Sequence, residues 1–411
     1  MISSSQLKKQ AKYVADKIHT SELSIKNYVT TDNLLQNKLG VVPAATLPAQ
    51  DGNVTAYKSG DILVANIRPY LKKLWYATQD GGCSADVLAI RPSSKVNSKF
   101  LYYALFRDDF FTHVMNGSKG TKMPRGDKSQ IMDFLIPNFE IDEQQKIASV
   151  LSALDNKIEL NNRINAELEA MAKTLYDYWF VQFDFPDTNG KPYKTSGGKM
   201  VYNSSLKREI PEGWNDCLLG DHITFKRGIS YKSGDIQDEG IPLINLNSFS
   251  LSGEFKLEGT KYYNGTFKPE SKLHVGDLVI AITDVTRNAD IIGKAFVIPD
   301  IFDEEPLISC DVACVFSEIF GAAYLERLFN SENYHRYIKY YASGTLVLHL
   351  DLNGIKCFKT FQPPKKLLEK YNQYSSLLFK QRNIALKENI YLEALRDWLL
   401  PMLMNGQVTV K

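Results

Sequence analysis

From Ile147 onward, apolar residues recur at alternating steps of four and three: Leu151, Leu154, Ile158, then, after Asn161 and Asn165, Leu168, Ala172, Leu175 and Trp179. That spacing places them on one stripe of a long helix, and a stripe of this kind must be covered. A second run holds Tyr371, Leu378, Ala385, Asn389, Leu392 and Leu399 in corresponding places, with Ser375, Arg382 and Arg396 as poorer fits. The spacing predicts helices over 143–183 and 365–405, each the other's antiparallel partner in a coiled coil. The stretch of the first from 143 to 180 would be about 57 Å long at roughly 1.5 Å per residue. Asn165 and Asn389 either pin the register as buried polar residues or face solvent. Elsewhere the pattern changes to short β-branched runs such as "DILVANI", "DLVIAIT" and "KAFVIP", bounded by Gly, Pro and Asp, with helical stretches such as 99 to 115 between them.

The two helices are also copies. "NAELEAMAKTLYDYWF" begins at Asn165 and "NIYLEALRDWLLPMLM" at Asn389, 224 residues later, with Leu168 and Leu392, Glu169 and Glu393, and Leu175 and Leu399 in step. The same shift relates "GSKGTKM" to "YYASGTLV" through Gly120 and Gly344, and "FLYYALF" (100–106) to "YLERLFN" (324–330). "CSADVLAI" pairs with "ISCDVACV" at a shift of 225, and "SGDILVANIRPY" (59–70) with "VGDLVIAITDVT" (275–286) at 216, as loop-length differences produce. Agreement over so many segments marks a duplication. The expected organisation is α+β: two tandem mixed domains, 1–142 and 212–364, related by a pseudo-twofold and separated by the helical pair. A Gly-, Pro-, Ser- and Lys-rich linker is expected over 184–211.

With 411 residues, 44% hydrophobic and 23% charged, the chain has the composition of a folded protein with room for more than one core. The net charge of +2 neither supports nor excludes a nucleic-acid partner, so any such partner must be met by local basic loops. Lys8, Lys9, Lys12 and Lys17 and the lack of an apolar run weigh against a secretory signal in the first thirty residues, and no stretch approaches the length of a membrane helix. Cys83, Cys217, Cys310, Cys314 and Cys357 read as buried free thiols of a reducing cytoplasm.

Catalytic constellations are not found. "SGGKM" lacks the glycine spacing and the hydroxyl of a phosphate loop, and "QPPKK" lacks the Asn and the aromatic of a quartet that grips an extruded adenine. His19, His113, His222, His274, His335 and His349 are isolated, so no metal site is expected, and "EFK" at 254–256 is a chance-level echo of a nuclease motif. The expectation is a binding protein without catalytic residues.

Basic loops recur instead. "NIRPYLKKLWY" sets Arg68, Lys72 and Lys73 among Tyr70, Trp75 and Tyr76, and "SKGTKMPRGDKSQ" adds Lys119, Lys122, Arg125 and Lys128. The second half offers Lys226, Arg227, Tyr231 and Lys232 in "TFKRGISYKSG". It also offers Thr286, Arg287 and Asn288 in "TDVTRNAD", at the repeat position of "NIRPY". Cations suit phosphates, while Arg and Asn also suit guanine and adenine edges and Thr a thymine methyl. Any one cluster alone would be a solvated surface; recurrence at equivalent places in both halves favours DNA contact.

The segment "DFLIPNFEIDEQQKIASVLSALDNKIELNNRINAELEAMAKTLYDYWF" (133–180) resembles the central spacer of specificity subunits of type I restriction-modification systems. "EIPEGWNDCLLGDHITFKRG" (209–228) resembles the opening of their target recognition domains, and "GDILVA" and "GDLVIA" an internal strand. The resemblance covers nearly the whole chain. Two features depart from it: the second spacer begins "FQPPKKLLEKYNQ" without Glu-Gln-Gln, and the first domain lacks the Pro-Glu-Gly-Trp opening. The resemblance implies a non-catalytic, cytoplasmic subunit whose two domains each read half of an asymmetric bipartite duplex DNA target, the helices setting the unread gap. It further implies two methyltransferase subunits as partners, carrying S-adenosylmethionine, and restriction/translocase subunits using ATP and Mg. This chain itself would bind no cofactor. Tyr176, Tyr178, Trp179 and Phe180 form either a candidate docking patch for a partner or a cluster packed on the recognition domain. The alternatives are a coiled-coil protein-binding adaptor and a nuclease or methyltransferase acting alone.

Overall fold

The computed structural model describes residues 3–410, which fall into two compact units. The first comprises the chain up to Leu160 together with the segment from Asn389 onward; the second comprises Asn161–Glu388.

In the first unit the strand Ile62–Ala65 is fully buried and shows why both of its faces must be apolar. Ile62 and Val64 point into a core shared with Leu88, Ile90, Phe100, Leu101 and Phe110, while Leu63 and Ala65 point into another with Val29, Tyr57, Cys83 and Ala89. The side-chain period of two along the strand divides its residues between these cores. The strand belongs to a four-stranded antiparallel sheet ordered Ala11–Tyr13, Val87–Pro92, Ile62–Ala65, Leu74–Tyr76. One face carries the helices Ser98–Phe106 and Asp108–Asn116, the first N-capped by Asn97, whose Oδ1 accepts from the Phe100 N–H at 3.0 Å. Arg107, in extended conformation, splits the single helix expected over 99–115. A second sheet is ordered Lys17–His19, Asn53–Tyr57, Gly81–Cys83, Tyr28–Val29, the last pair parallel. Gly81 is required there, because a Cβ would lie 2.1 Å from the Asn27 carbonyl oxygen.

The second unit repeats the first sheet in the same order: Thr224–Arg227, Val312–Phe316, Leu278–Ala281, Ala295–Val297. Leu278 and Ile280 enter one core, Val279 and Ala281 another. The helices Ala322–Asn330 and Glu332–Ile338 cover it as their counterparts do. Its second sheet is ordered Ile236–Gln237, Lys261–Tyr263, Ile241–Ile244, Leu307–Ile308, again ending in a parallel pair.

The long helices run Ile141–Tyr176, extended by a wider π turn to Val181, and Lys365–Met404. Their first residues lie 224 apart, so the absent Glu-Gln-Gln start leaves the second helix in register with the first. They are antiparallel within each unit. In the first, Ile147 and Leu151 share a core with Leu400, Leu403 and Met404. In the second, Asn161 donates from Nδ2 to Glu388 at 2.9 Å, and Trp179 packs on Tyr371 and Tyr374. Asn389 is buried and Asn165 half-buried, so the solvent-facing reading fails for Asn389.

Each unit ties its mixed domain to the helices through a carboxylate. In the first, the Tyr103 hydroxyl donates to Asp155 at 2.5 Å, and Arg396 holds the other oxygen at 3.0 Å. In the second, Arg327 and Arg382 both grip Glu169, and Arg327 also pairs with Glu326 at 3.1 Å. Burial opposes ionisation of Glu169, but the two guanidiniums outweigh it and hold its carboxyl below the usual range.

The stretch expected as a linker is built into the second unit. Met200–Asn203 and Arg208–Pro211 form an antiparallel hairpin, and Phe183, Phe185 and Ile210 are buried with Trp214. Phe185 stacks on both Tyr193 and Trp214. Among the thiols, Cys83 and Cys314 are buried and pushed up to about 12 by that burial, as expected for inert cysteines. Cys310 and Cys357 are exposed, against expectation, because they lie in turns just outside buried strands.

Candidate functional site

Where the strand Ile62–Ala65 leaves its sheet, the chain continues through Asn66, Ile67 and Arg68 against the loop 118–128. The Arg68 N–H donates to the Pro124 carbonyl at 2.8 Å and the Gly126 N–H to Asn66 at 3.0 Å; Ile67 pairs with Arg125. Lys119 and Arg125 exchange backbone hydrogen bonds at 3.0 and 2.9 Å across a turn with Gly120 at φ 94°. The two basic stretches of the first half, some fifty residues apart in sequence, thus form one tip. Arg68, Tyr70, Lys119, Lys122, Arg125 and Lys128 are exposed on it. Arg125 is steadied by Asp86 at 2.6 Å, and Lys119 lies 3.8 Å from Asp127.

Lys72 and Lys73 depart from expectation. Lys72 pairs with Asp108 at 2.9 Å, beside Lys38 at 3.0 Å, and Lys73 donates to the Thr31 carbonyl, its ammonium pushed down by burial. These partners hold the loop in place and leave Arg68 and Tyr70 to face outward.

The second unit builds the same tip from different residues. Thr283–Asp284 pairs with Leu348–Leu350, which pairs with Ala342–Ser343. Thr283 faces His349 and Ser343 faces His349, as Ile67 and Lys119 face Arg125. The shifts between these partners are 216 and 224, those read from the sequence. The Asn66 N–H donates to the Asp86 carbonyl at 2.8 Å, and its counterpart Ile282 donates to Asp311 at 2.9 Å.

The loop after Asp284 is organised by that residue's carboxylate, which is fully buried. It accepts from the backbone N–H groups of Thr286 at 2.6 Å, Ile291 at 2.6 Å and Ile292 at 2.7 Å. Three such bonds satisfy a buried anion and close the loop upon it. Thr286 is half-buried, its hydroxyl accepting from the Asp290 N–H at 2.8 Å, so it shapes the loop, whereas Arg287 and Asn288 project into solvent. Of the other cluster, Arg227 and Lys232 are exposed. Lys226 donates to the Lys272 carbonyl at 3.1 Å, and Tyr231 receives Lys261 at 3.3 Å, so these two are held by the fold. The backbone of Ile229 bridges to Ser309, two residues from Asp311, bringing this strand end beside the tip.

Reading charge alone missed the hairpin 342–349. Carrying Lys119, Lys122 and Arg125 forward by 224 lands on Ser343, Leu346 and His349, so the repeat itself held the signal.

The aromatic helix end does not form a docking patch. Tyr176, Trp179 and Phe180 are buried against Tyr324, Tyr371 and Trp214, and Tyr178 alone of the four is exposed. Exposed apolar side chains lie instead along the second long helix: Leu377 and Ile384 in the second unit, and Tyr391, Leu395 and Trp398 in the first. Among the described residues there is no cluster of His, Cys, Asp and Glu suited to a metal, and no helix long and apolar enough to cross a membrane.

Residues 6–170 match the family model of the type I restriction modification DNA specificity domain. The type I restriction enzyme MjaIX specificity subunit of Methanocaldococcus jannaschii is 26% identical over 323 residues, spanning 78% of this chain and 72% of its own. The HindI specificity subunit of Haemophilus influenzae is 23% identical and spans 93% and 94%. Among solved structures, the S subunit of a type I restriction-modification system from M. genitalium superposes with a TM-score of 0.59 over 98% of this chain and 96% of that one. At 16% identity this is a likeness of fold.

Proposed function

Because the chain belongs to the family of type I restriction-modification specificity subunits, we propose that it directs such a complex to DNA by reading an asymmetric bipartite duplex target, one half with the tip of each unit. The observation that carries this reading is the pair of matching ladders, Ile67 and Lys119 on Arg125, and Thr283 and Ser343 on His349. One frame, built twice, presents different exposed side chains, as reading two different half-sites requires. The cations of the first tip suit phosphates and guanine; Arg287 and Asn288 of the second suit guanine and adenine edges.

The chain acts as a targeting subunit, and methylation and cleavage belong to its partners. Two methyltransferase subunits bring S-adenosylmethionine, and restriction/translocase subunits use ATP and Mg, all in the cytoplasm. The exposed apolar residues of the second long helix give such partners a surface that would otherwise stay wet. A salt titration tests the reading. With about 6–10 phosphate contacts, affinity for duplex DNA should fall by roughly 10³–10⁵ between about 50 and 200 mM salt. A flat response would favour a protein-binding adaptor, and methylation or cutting by the purified chain alone would overturn the division of labour.

A further inference from the structure

The tips differ most at their turns. In the first unit the turn between Lys119 and Arg125 carries Lys122; at the same shift of 224 the second carries Leu346. Leu346 is 88% exposed, and Val285, on the facing loop, 61%. The turn that presents Leu346 is tightly specified: Gly344 stands at φ 134°, and a Cβ there would meet the Val347 carbonyl oxygen at 2.1 Å. Leu346 and Arg287 both lie just beyond the ladder that ends with Asp284 opposite Leu348. The apolar turn is thus flanked by Arg287, Asn288 and His349, polar side chains that can contact base edges.

Resting on the DNA-reading function above, we propose that Leu346 is a specificity-determining residue that packs on the 5-methyl group of thymine in the half-site read by the second unit. The thymine methyl is the one apolar group that the four base pairs present in the major groove. An exposed leucine at the place where the other tip carries a lysine therefore selects for it. The first tip, with Lys122 there, makes no such selection.

The test uses the full chain assembled with its methyltransferase partners. Duplexes bound from a random pool define both half-sites, and the half-site relaxed by Arg287→Ala is assigned to the second unit. Thymines are then replaced singly by deoxyuridine, which removes the methyl and leaves base pairing intact. The expected result is about a fourfold loss of affinity at one or two positions of that half-site, the effect of exposing one methyl-sized group, and no loss in the other. Leu346→Ala, with Leu346→Gln as a second variant, should bind the thymine and deoxyuridine duplexes equally. A half-site without thymine, indifference to deoxyuridine, or discrimination surviving in both variants would overturn the proposal. So would variants that lose only assembly with the methyltransferase, which would make Leu346 a protein contact. If the pool yields no bipartite sequence at all, the DNA-reading function itself fails, an outcome distinct from these.

Discussion

The two units tie their helices down with the same arrangement and different chemistry. Tyr103 and Arg327 occupy equivalent positions, 224 apart, and each reaches a carboxylate on the first long helix that an arginine of the second also holds. The first unit does this with a neutral hydroxyl, the second with a buried guanidinium that also needs Glu326. The sheets show a similar contrast. The sheet under the helices has one strand order in both units. In the second sheet, Asn53–Tyr57 pairs with the strand preceding the main run in the first unit, Gly81–Cys83, whereas Lys261–Tyr263 pairs with the earlier strand Ile241–Ile244 in the second. The parts that position the tip repeat; the parts further from the helices have been free to rearrange.

The largest expected effect separates the two anchors. Arg327→Ala leaves Glu169 and Glu326 short of a partner in a buried setting and should cost about 3–5 kcal/mol in urea unfolding. Tyr103→Phe removes one hydrogen bond to a carboxylate still held by Arg396, and should cost about 1.5–3 kcal/mol. The reverse ranking would break the comparison.

At the tips, Arg287→Ala should lose about 1–3 kcal/mol of binding and relax preference within one half-site. Arg125→Ala should weaken binding more evenly and reduce the salt slope by about one. Equal loss on every sequence would make Arg287 a phosphate contact too.

The smallest effect concerns pH. Burial first, then the charges of Lys294 and Lys339, lowers the pKa of His335 from 6.5 to about 4. The unfolded chain therefore binds a proton between those values that the folded one refuses. The contribution is fully present above 6.5 and lost as pH falls toward 4. Thermal midpoints followed through this window should fall less steeply in His335→Gln than in the parent protein. Parallel curves would remove His335 from the account.

Much of this was legible in the sequence. The 3.5-residue period of Ile147 to Trp179 reports a helix that must be covered on one stripe, and the 216 and 224 shifts carry the ladder partners as faithfully as the latter carries helix starts. Charge was a poorer guide: Lys72 and Lys73 look like surface cations until Asp108 and Thr31, distant in sequence, are folded beside them. The stretch 184–211 looked featureless because its order comes from Phe185, Tyr193 and Ile210 packing with Trp214, contacts with no period. The order of the second sheets was beyond reach, since strands of two to five residues carry too little pattern to declare their neighbours.

The buried carboxylate of Asp284 fixes the course of the chain from Thr286 to Ile292 through main-chain groups, which every amino acid except proline supplies. Arg287 and Asn288 contribute nothing to that closure beyond their place in the chain. Mutation can therefore exchange them while the loop keeps its form; under the DNA-reading function proposed above, a lineage carrying this protein would acquire new targets by single substitutions without first passing through a misfolded intermediate.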